Sequence, residues 1–194
     1  MRLFFDCEFT GLRKDTTLIS LGIVSEDGKR FYAEFTDYDE SQCDDWIKEN
    51  VLKNLLGKYL PIGGVLNEKG ETIEYSCAGS REEVSKCLGE YLSQFDTIQF
   101  VSDVCHYDFV LLIDLLTNGG TAIDVPLNIS VVCHDLNQDI AQHFRVPDHE
   151  AFDMSREQIM NDLCRPEDIV TGDKHNSLYD SCVIRAIYKE IVGY

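Results

Sequence analysis

The chain has 194 residues, 44% of them hydrophobic, enough for a sizeable core, and no apolar run approaches the ~20 residues that a membrane-spanning helix needs. Acidic Asp6 and Glu8 interrupt the apolar stretch near the N-terminus, so no signal peptide is read and a soluble, cytoplasmic protein is expected. The net charge of −18 argues against a protein that grips a duplex backbone by counterion release, while leaving room for an enzyme that takes one strand end into a pocket.

Most of the 35 acidic residues are expected to form a solvated surface. The eight cysteines include no C-x-x-C pair and no zinc-finger spacing, and several fall at apolar positions of predicted elements. Reduced, packed thiols are therefore expected rather than disulfides.

Residues 2–9, 17–24 and 29–36 read as three strands, with Asp27-Gly28 as a hairpin turn, so the chain opens on an antiparallel meander. Residues 44–59 have Trp46, Ile47, Val51, Leu52 and Leu55 at helical spacing, and Pro61, Gly63 and Gly64 follow. Residues 62–79 carry no clear period; Asn67 to Gly70 suits either a small hairpin turn or a loop. Ser80 and Glu83 have capping-box spacing ahead of an apolar stripe of Val84, Cys87, Leu88, Tyr91, Leu92 and Phe95. A strand over 97–102, a helix over 107–117 stopped by Asn118-Gly119-Gly120, and a strand over 129–133 follow. Two or three helices are expected between 135 and 168, and a last one from Leu178 to Val192. The expected fold class is α/β: one domain over residues 1–194, with a mixed five-stranded sheet flanked by helices.

Three short motifs carry chemistry. Asp6-Cys7-Glu8 lies on a strand, where residues i and i+2 share a face, so both carboxylates aim at one spot among Leu3, Phe4, Phe5 and Phe9. Unpaired carboxylates in apolar surroundings are costly unless a cation compensates them, and hard divalent ions are the natural partners. On its own the triplet is weak evidence and better suits a solvated strand end. It continues into Thr10-Gly11-Leu12, where glycine permits an unusual turn and close approach of a ligand. The second motif is Asp108, in the first turn of the predicted 107–117 helix, where the helix dipole favours an anion; Asp103 is the alternative. The third is His175-Asn176-Ser177-Leu178-Tyr179-Asp180. Two helical residues five apart would point about 140° from each other. His175 and Asp180 therefore converge only if His175 lies on the loop and Asp180 on the helix, with Asn176 or Ser177 as N-cap.

With its D-x-E-x-T-G-L opening, its later Asp and its H-x4-D, the chain resembles the DEDD 3′–5′ exonuclease superfamily. It resembles the histidine branch, DEDDh; the tyrosine branch has Tyr four residues before the last Asp, where this chain has Asn176. The opening 55 residues are most similar to the mycobacterial-type 3′–5′ exoribonucleases, relatives of ribonuclease T and oligoribonuclease. Ser177 and Ser181 stand where that family's last motif usually has alanines, and His106 or its neighbours stand where it often has Asn.

The resemblance implies a ribonuclease H-like fold and hydrolysis of single-stranded RNA from its 3′ end to nucleoside 5′-monophosphates. It implies two Mg²⁺ ions on Asp6, Glu8, Asp108 and Asp180, with Mn²⁺ as a substitute, and His175 as general base. Substrate contacts would come from Thr10, Gly11, Leu12, Tyr107 and Asn176. Leu12 would wedge against the terminal base, though an ordinary core leucine suits that position as well. Single-stranded DNA is the alternative substrate, and a catalytically silent binding module the alternative class. Homodimerisation and no membrane association complete the expectation. Arg13, Lys14, Lys29, Arg30 and Lys48 could meet a phosphate strand, but solvated side chains are their default; His106, His134, His143 and His149 read as surface or capping residues.

Overall fold

The computed structural model describes residues 1–70 and 72–194. Seven strands form one mixed sheet in the order β4-β5-β3-β2-β1-β6-β7. Strands β1 (Arg2–Phe9), β2 (Leu18–Ser25) and β3 (Arg30–Phe35) make the expected antiparallel meander. Gly28 turns the second hairpin at φ +89°, a conformation that costs glycine little. Strand β6 (Gln99–Ser102) lies parallel to β1, and β5 (Thr72–Gly79) lies parallel to β3.

Three expectations are corrected. The sheet has seven strands, not five. Two of these, β4 (Gly63–Leu66) and β5, form an antiparallel hairpin within the segment that had no clear period; their turn is closed by Gly70 N–H donating to the Asn67 carbonyl at 3.0 Å. Residue 71 of that segment lies outside the described residues.

The predicted strand over 129–133 is not one. Ile129 makes a single bridge to Ile98, and the strand proper is β7, His134–Asp135, parallel to β6. Val131 and Val132 are exposed, so their β-branched character reflected no buried position.

The predicted helix over 44–59 ends early. Helix α1 covers only Asp45–Asn50, and two 3-10 turns follow, Leu52–Asn54 and Gly57–Tyr59. The reason is tertiary. Buried Glu34 on β3 accepts hydrogen bonds from Leu56 N–H at 2.6 Å and Gly57 N–H at 2.8 Å, and Asn54 donates to the Lys174 carbonyl at 2.7 Å. These partners outcompete i→i−4 bonds.

Helices cover both faces. One face packs Leu3, Phe5, Leu21, Ile23 and Phe31 against α2 (Arg81–Leu92) and α3 (His106–Leu116). Helix α2 begins with the expected capping box at Ser80 and Glu83. The other face packs Phe4, Val24 and Val101 against α4 (Leu136–Phe144), α6 (Arg156–Leu163) and the long α7 (Ser177–Ile191). Short α5 (Asp148–Asp153) adds Ala151 to this second core. Strand alternation therefore sends Asp6 and Glu8 to the α7 face, next to Phe4. No helix among the described residues is long and apolar enough to cross a membrane. All eight cysteines are free thiols.

Candidate active site

Strand β1 is central, so its side chains are covered from both faces. At its C-terminal end Asp6 and Glu8 emerge beneath the start of α7. Asn176 caps that helix, its side-chain oxygen accepting from Tyr179 N–H at 3.2 Å. His175 sits just before the cap with φ +62°, a left-handed conformation uncommon for a side-chain-bearing residue. This is the loop-then-helix arrangement that the H-x4-D spacing required. Asp180 lies one turn into α7 and turns back, its carboxylate accepting from His175 N–H at 2.8 Å.

What allows α7 to begin so close to the sheet is Gly22. It pairs with Asp6 across β1 and β2, and a Cβ there would lie 2.2 Å from the Ser177 carbonyl. Ser20 on the same strand hydrogen-bonds Ser177 at 2.9 Å, hydroxyl to hydroxyl, in a fully buried contact. The small serines at 177 and 181 are both buried under this crossing.

Asp6, Glu8, His175 and Asp180 line one cleft of about 350 Å³, walled by Val104, Phe152, Met154, Arg156, Glu157 and Lys174. Ligand atoms of Glu8, His175 and Asp180 all lie within 4.8 Å of one another, a group that could hold a metal ion. His175 Nδ1 is 3.7 Å from a Glu8 oxygen. Asp108 approaches from α3, where it occupies the first turn as expected. Its carboxylate accepts from Cys7 N–H at 2.9 Å, so it reaches β1 between Asp6 and Glu8.

The electrostatics are those of a crowded anionic site. Burial, then the charges of Asp180, Glu8 and Asp108, hold the Asp6 carboxyl well above the usual carboxylate range. Burial pushes Asp180 up to about 7, with Glu8 adding to it and His175 opposing. Burial likewise pushes Asp108 up to about 7, against the Cys7 N–H that favours its charged form. His175 is raised above the ordinary imidazole value by the Glu8 carboxylate beside it, with burial opposing. Asp6 Oδ2 is buried with no hydrogen-bond partner among the described residues.

Asp103, the alternative to Asp108, itself lines the cleft, whereas Asp108 is not among the cleft's lining residues; Asp103 is paired there with Arg156. Arg156 grips it through two nitrogens at 2.5 and 2.8 Å, and also donates to Asn137 and to the carbonyls of Ala151 and Met154. This bidentate pair ties the α5–α6 connection to the end of β6 beside the cleft.

The expected substrate contacts divide. Leu12 is 76% exposed, which removes the core-leucine alternative, and with Gly11 it lines a second cavity of about 370 Å³ on the other side of Glu8. Tyr107 is half-exposed and stacks on Phe9 at 5.9 Å. Thr10 is fully buried; its hydroxyl donates to Gln42 Oε1 at 2.5 Å and accepts from Thr17 N–H at 3.0 Å, which shapes the Gly11–Thr16 loop. The Asn176 amide nitrogen donates to the Asn54 carbonyl at 3.2 Å, so this side chain, too, serves the fold.

Trp46 was missed. Read only as one of the apolar residues at helical spacing, it is 52% exposed, lines the second cavity, and packs edge-to-face with the His175 ring, centroids 5.0 Å apart at 74°. A signal was present in the spacing. Ile47 in α1 and Val51 at its C-cap are four apart and both buried, which leaves Trp46, one residue before Ile47, about 100° away from that side. Arg156, Glu157 and Lys174 left no such signal, because only the tertiary fold brings them to the cleft.

No family model matches the chain. Two curated Mycobacterium tuberculosis proteins, the 3′–5′ exoribonucleases MT2234.1 and Rv2179c, are each 40% identical to it over 55 residues, 28% of this chain and 33% of theirs. The chain thus spans about a third of the length of these curated relatives. Among solved structures, the Neurospora crassa Pan2 catalytic unit, comprising protease and nuclease domains, superposes with a TM-score of 0.53 at 13% identity, covering 97% of this chain and 26% of that one. At that identity the likeness is one of fold: a seven-stranded mixed sheet flanked by helices, in the ribonuclease H-like α/β class.

Proposed function

We propose that this chain is a single-domain, metal-dependent 3′–5′ exonuclease of the DEDDh kind, acting on single-stranded RNA and releasing nucleoside 5′-monophosphates. One observation carries the reading: Asp6 and Glu8 converge with His175 and Asp180, far away in sequence, on one cleft in which a buried Asp6 oxygen has no hydrogen-bond partner among the described residues. A fold gains nothing from bringing carboxylates together unless something cationic compensates them. Among the described residues no Lys or Arg does so, since Arg156 pairs with Asp103 and Lys174 with Glu157 at 3.7 Å; His175, beside Glu8, offsets only part of this charge.

The donor set fits Mg²⁺ or Mn²⁺: hard oxygen ligands from Asp6, Glu8, Asp108 and Asp180, on elements held rigidly by the sheet. When bound, such ions supply charge neutralisation at the scissile phosphate and lower the pKa of water. The chain's own residues do the rest. Glu8 beside Nδ1 favours a proton on that nitrogen, which leaves Nε2 of His175 free to accept the proton of the attacking water. The apolar cavity beside Leu12 and Trp46 would receive the 3′-terminal base, placing its phosphate next to Glu8. The resemblance of the opening segment to exoribonucleases supports RNA as the substrate.

A time course on matched 5′-labelled RNA and DNA oligonucleotides, with Mg²⁺ and with chelator, tests the reading. The expected result is chelator-sensitive, stepwise shortening of RNA, lost in Asp6→Ala and Asp180→Ala variants that remain folded. Full activity in either variant would refute the ligand assignment. Faster digestion of DNA would move the substrate class, and an inactive wild type that fails to bind Mn²⁺ would leave a silent module on this fold.

A further inference from the structure

Two cavities meet at Glu8. One is the carboxylate cleft; the other is largely apolar, lined by Phe9, Gly11, Leu12, Trp46 and Val51, with Glu8 and Asp44 the acidic residues of its lining. The wall between them includes a pair of rings, the half-exposed indole of Trp46 and the imidazole of His175, with centroids 5.0 Å apart in an edge-on arrangement. Besides the indole, that imidazole has the Glu8 carboxylate beside it, and its own backbone N–H donates to Asp180 at 2.8 Å. Its backbone is on a loop in the left-handed region, and its contact to Glu8, at 3.7 Å, is longer than a hydrogen bond. The backbone around Trp46 is held by side chains. Asp44 caps α1 by accepting from Ile47 N–H at 2.9 Å, and Asn50 donates to the Trp46 carbonyl at 2.8 Å. The indole itself faces the apolar cavity, where a flat ring could stack on it.

We propose that Trp46 is a positioning residue that couples the two cavities. A nucleobase seated against Leu12 and Trp46 immobilises the indole, and the indole edge then holds the His175 ring in the orientation needed to accept a proton. Filling of the base pocket would thereby license hydrolysis, beyond merely binding the strand end. This rests on the exonuclease reading given above.

The test separates positioning from binding by comparing ordinary RNA with RNA whose 3′-terminal nucleotide lacks its base. For the wild type, the abasic end should lower kcat by about 10- to 100-fold, the effect expected when a reacting group is misplaced by around 1 Å. Trp46→Ala should lower kcat by a similar factor on ordinary RNA. It should add less than about 2-fold on the abasic end, because the coupling is already lost there. Trp46→Phe, which keeps an aromatic edge, should recover most of the rate. A rise in KM alone, or equal loss on both substrates, overturns the proposal.

A readout free of catalysis keeps it separate from the exonuclease reading. Trp46 is the chain's single tryptophan, so its fluorescence reports this pocket alone. Adenosine 5′-monophosphate with Ca²⁺ should quench it saturably and shift the His175 ring resonances, whereas ribose 5-phosphate with Ca²⁺ should do neither. In Trp46→Ala the nucleotide should leave the His175 resonances unmoved. Quenching without a His175 shift, or a shift that survives Trp46→Ala, overturns the coupling even if RNA is degraded. An inactive wild type would instead overturn the exonuclease reading, and the resonances would still decide the coupling.

Discussion

Gly22→Ala is the sharpest test of how this fold builds its site. An alanine Cβ at position 22 would lie 2.2 Å from the Ser177 carbonyl carbon and oxygen and 2.3 Å from Leu178 N. All three are backbone atoms, and Cβ contacts under 3.0 Å are essentially never tolerated. The start of α7 must therefore retreat by roughly 1 Å, a displacement of overpacking size that costs about 1–3 kcal/mol. Tyr188, Ile187 and Val183 pin the rest of the helix to the core, so the helix tilts at its start rather than sliding as a whole. The buried Ser20–Ser177 hydrogen bond, 2.9 Å in the native fold, would be stretched beyond useful range.

His175 and Asp180 flank the displaced residue on either side, while Asp6 and Glu8 stay on the strand. The expected outcome is a fall in kcat of about 100-fold with modest destabilisation. Single-turnover RNA hydrolysis and urea denaturation measure the two effects. Gly89→Ala is the control: it lies mid-helix in α2, and a Cβ there meets nothing within 4 Å. That change should stabilise by about 0.5–1 kcal/mol and leave the rate untouched. Wild-type activity and stability in Gly22→Ala would refute the claim that this close crossing sets the site.

Three further outcomes follow from the charge distribution. Asp108 and Asp180 have folded pKa values raised to about 7, above the ordinary carboxylate value, so below that ordinary value their titration costs nothing. As pH rises through the window from ~4 to ~7 the folded state holds more protons than the unfolded one, and stability falls by a few kcal/mol. Thermal melts of chelator-treated protein should show this decline and Mg²⁺ should reverse it; a flat, metal-insensitive profile would contradict the anionic cluster. Arg156→Met should cost about 3 kcal/mol by leaving Asp103 uncompensated, and Asp103→Asn in the same chain should restore part of it; a neutral single variant in urea melts would count against the bidentate tie. Glu34→Ala should cost about 2–4 kcal/mol, since Leu56 N–H, Gly57 N–H and the Tyr32 hydroxyl all donate to that buried carboxylate. Unchanged stability by calorimetry would show that this segment does not depend on Glu34.

Much of the local structure was legible in the chain itself. The opening meander, the capping box at Ser80, the stop at Asn118-Gly119, and the loop placement of His175 all follow from short-range rules, because turn, cap and periodicity act over a few residues. The truncated α1 was not legible. Its sequence favours helix, and the buried Glu34 that holds the segment after it lies 22 residues upstream of Leu56 and 23 upstream of Gly57. The strand misplaced over 129–133 failed for the same reason: β7 is only two residues long and exists because β6 offers it an edge.

The site divides along that line too. Strand alternation alone puts Asp6 and Glu8 on one face, and helix geometry alone requires His175 to precede the cap if it is to meet Asp180. Those are properties of a single element. That Asp103 is tied down by Arg156, that Trp46 lies against His175, and that Gly22 admits α7 to within a backbone's breadth of β2 depend on which elements pack together. Periodicity specifies the direction a side chain takes from its own backbone; only packing decides what it meets there.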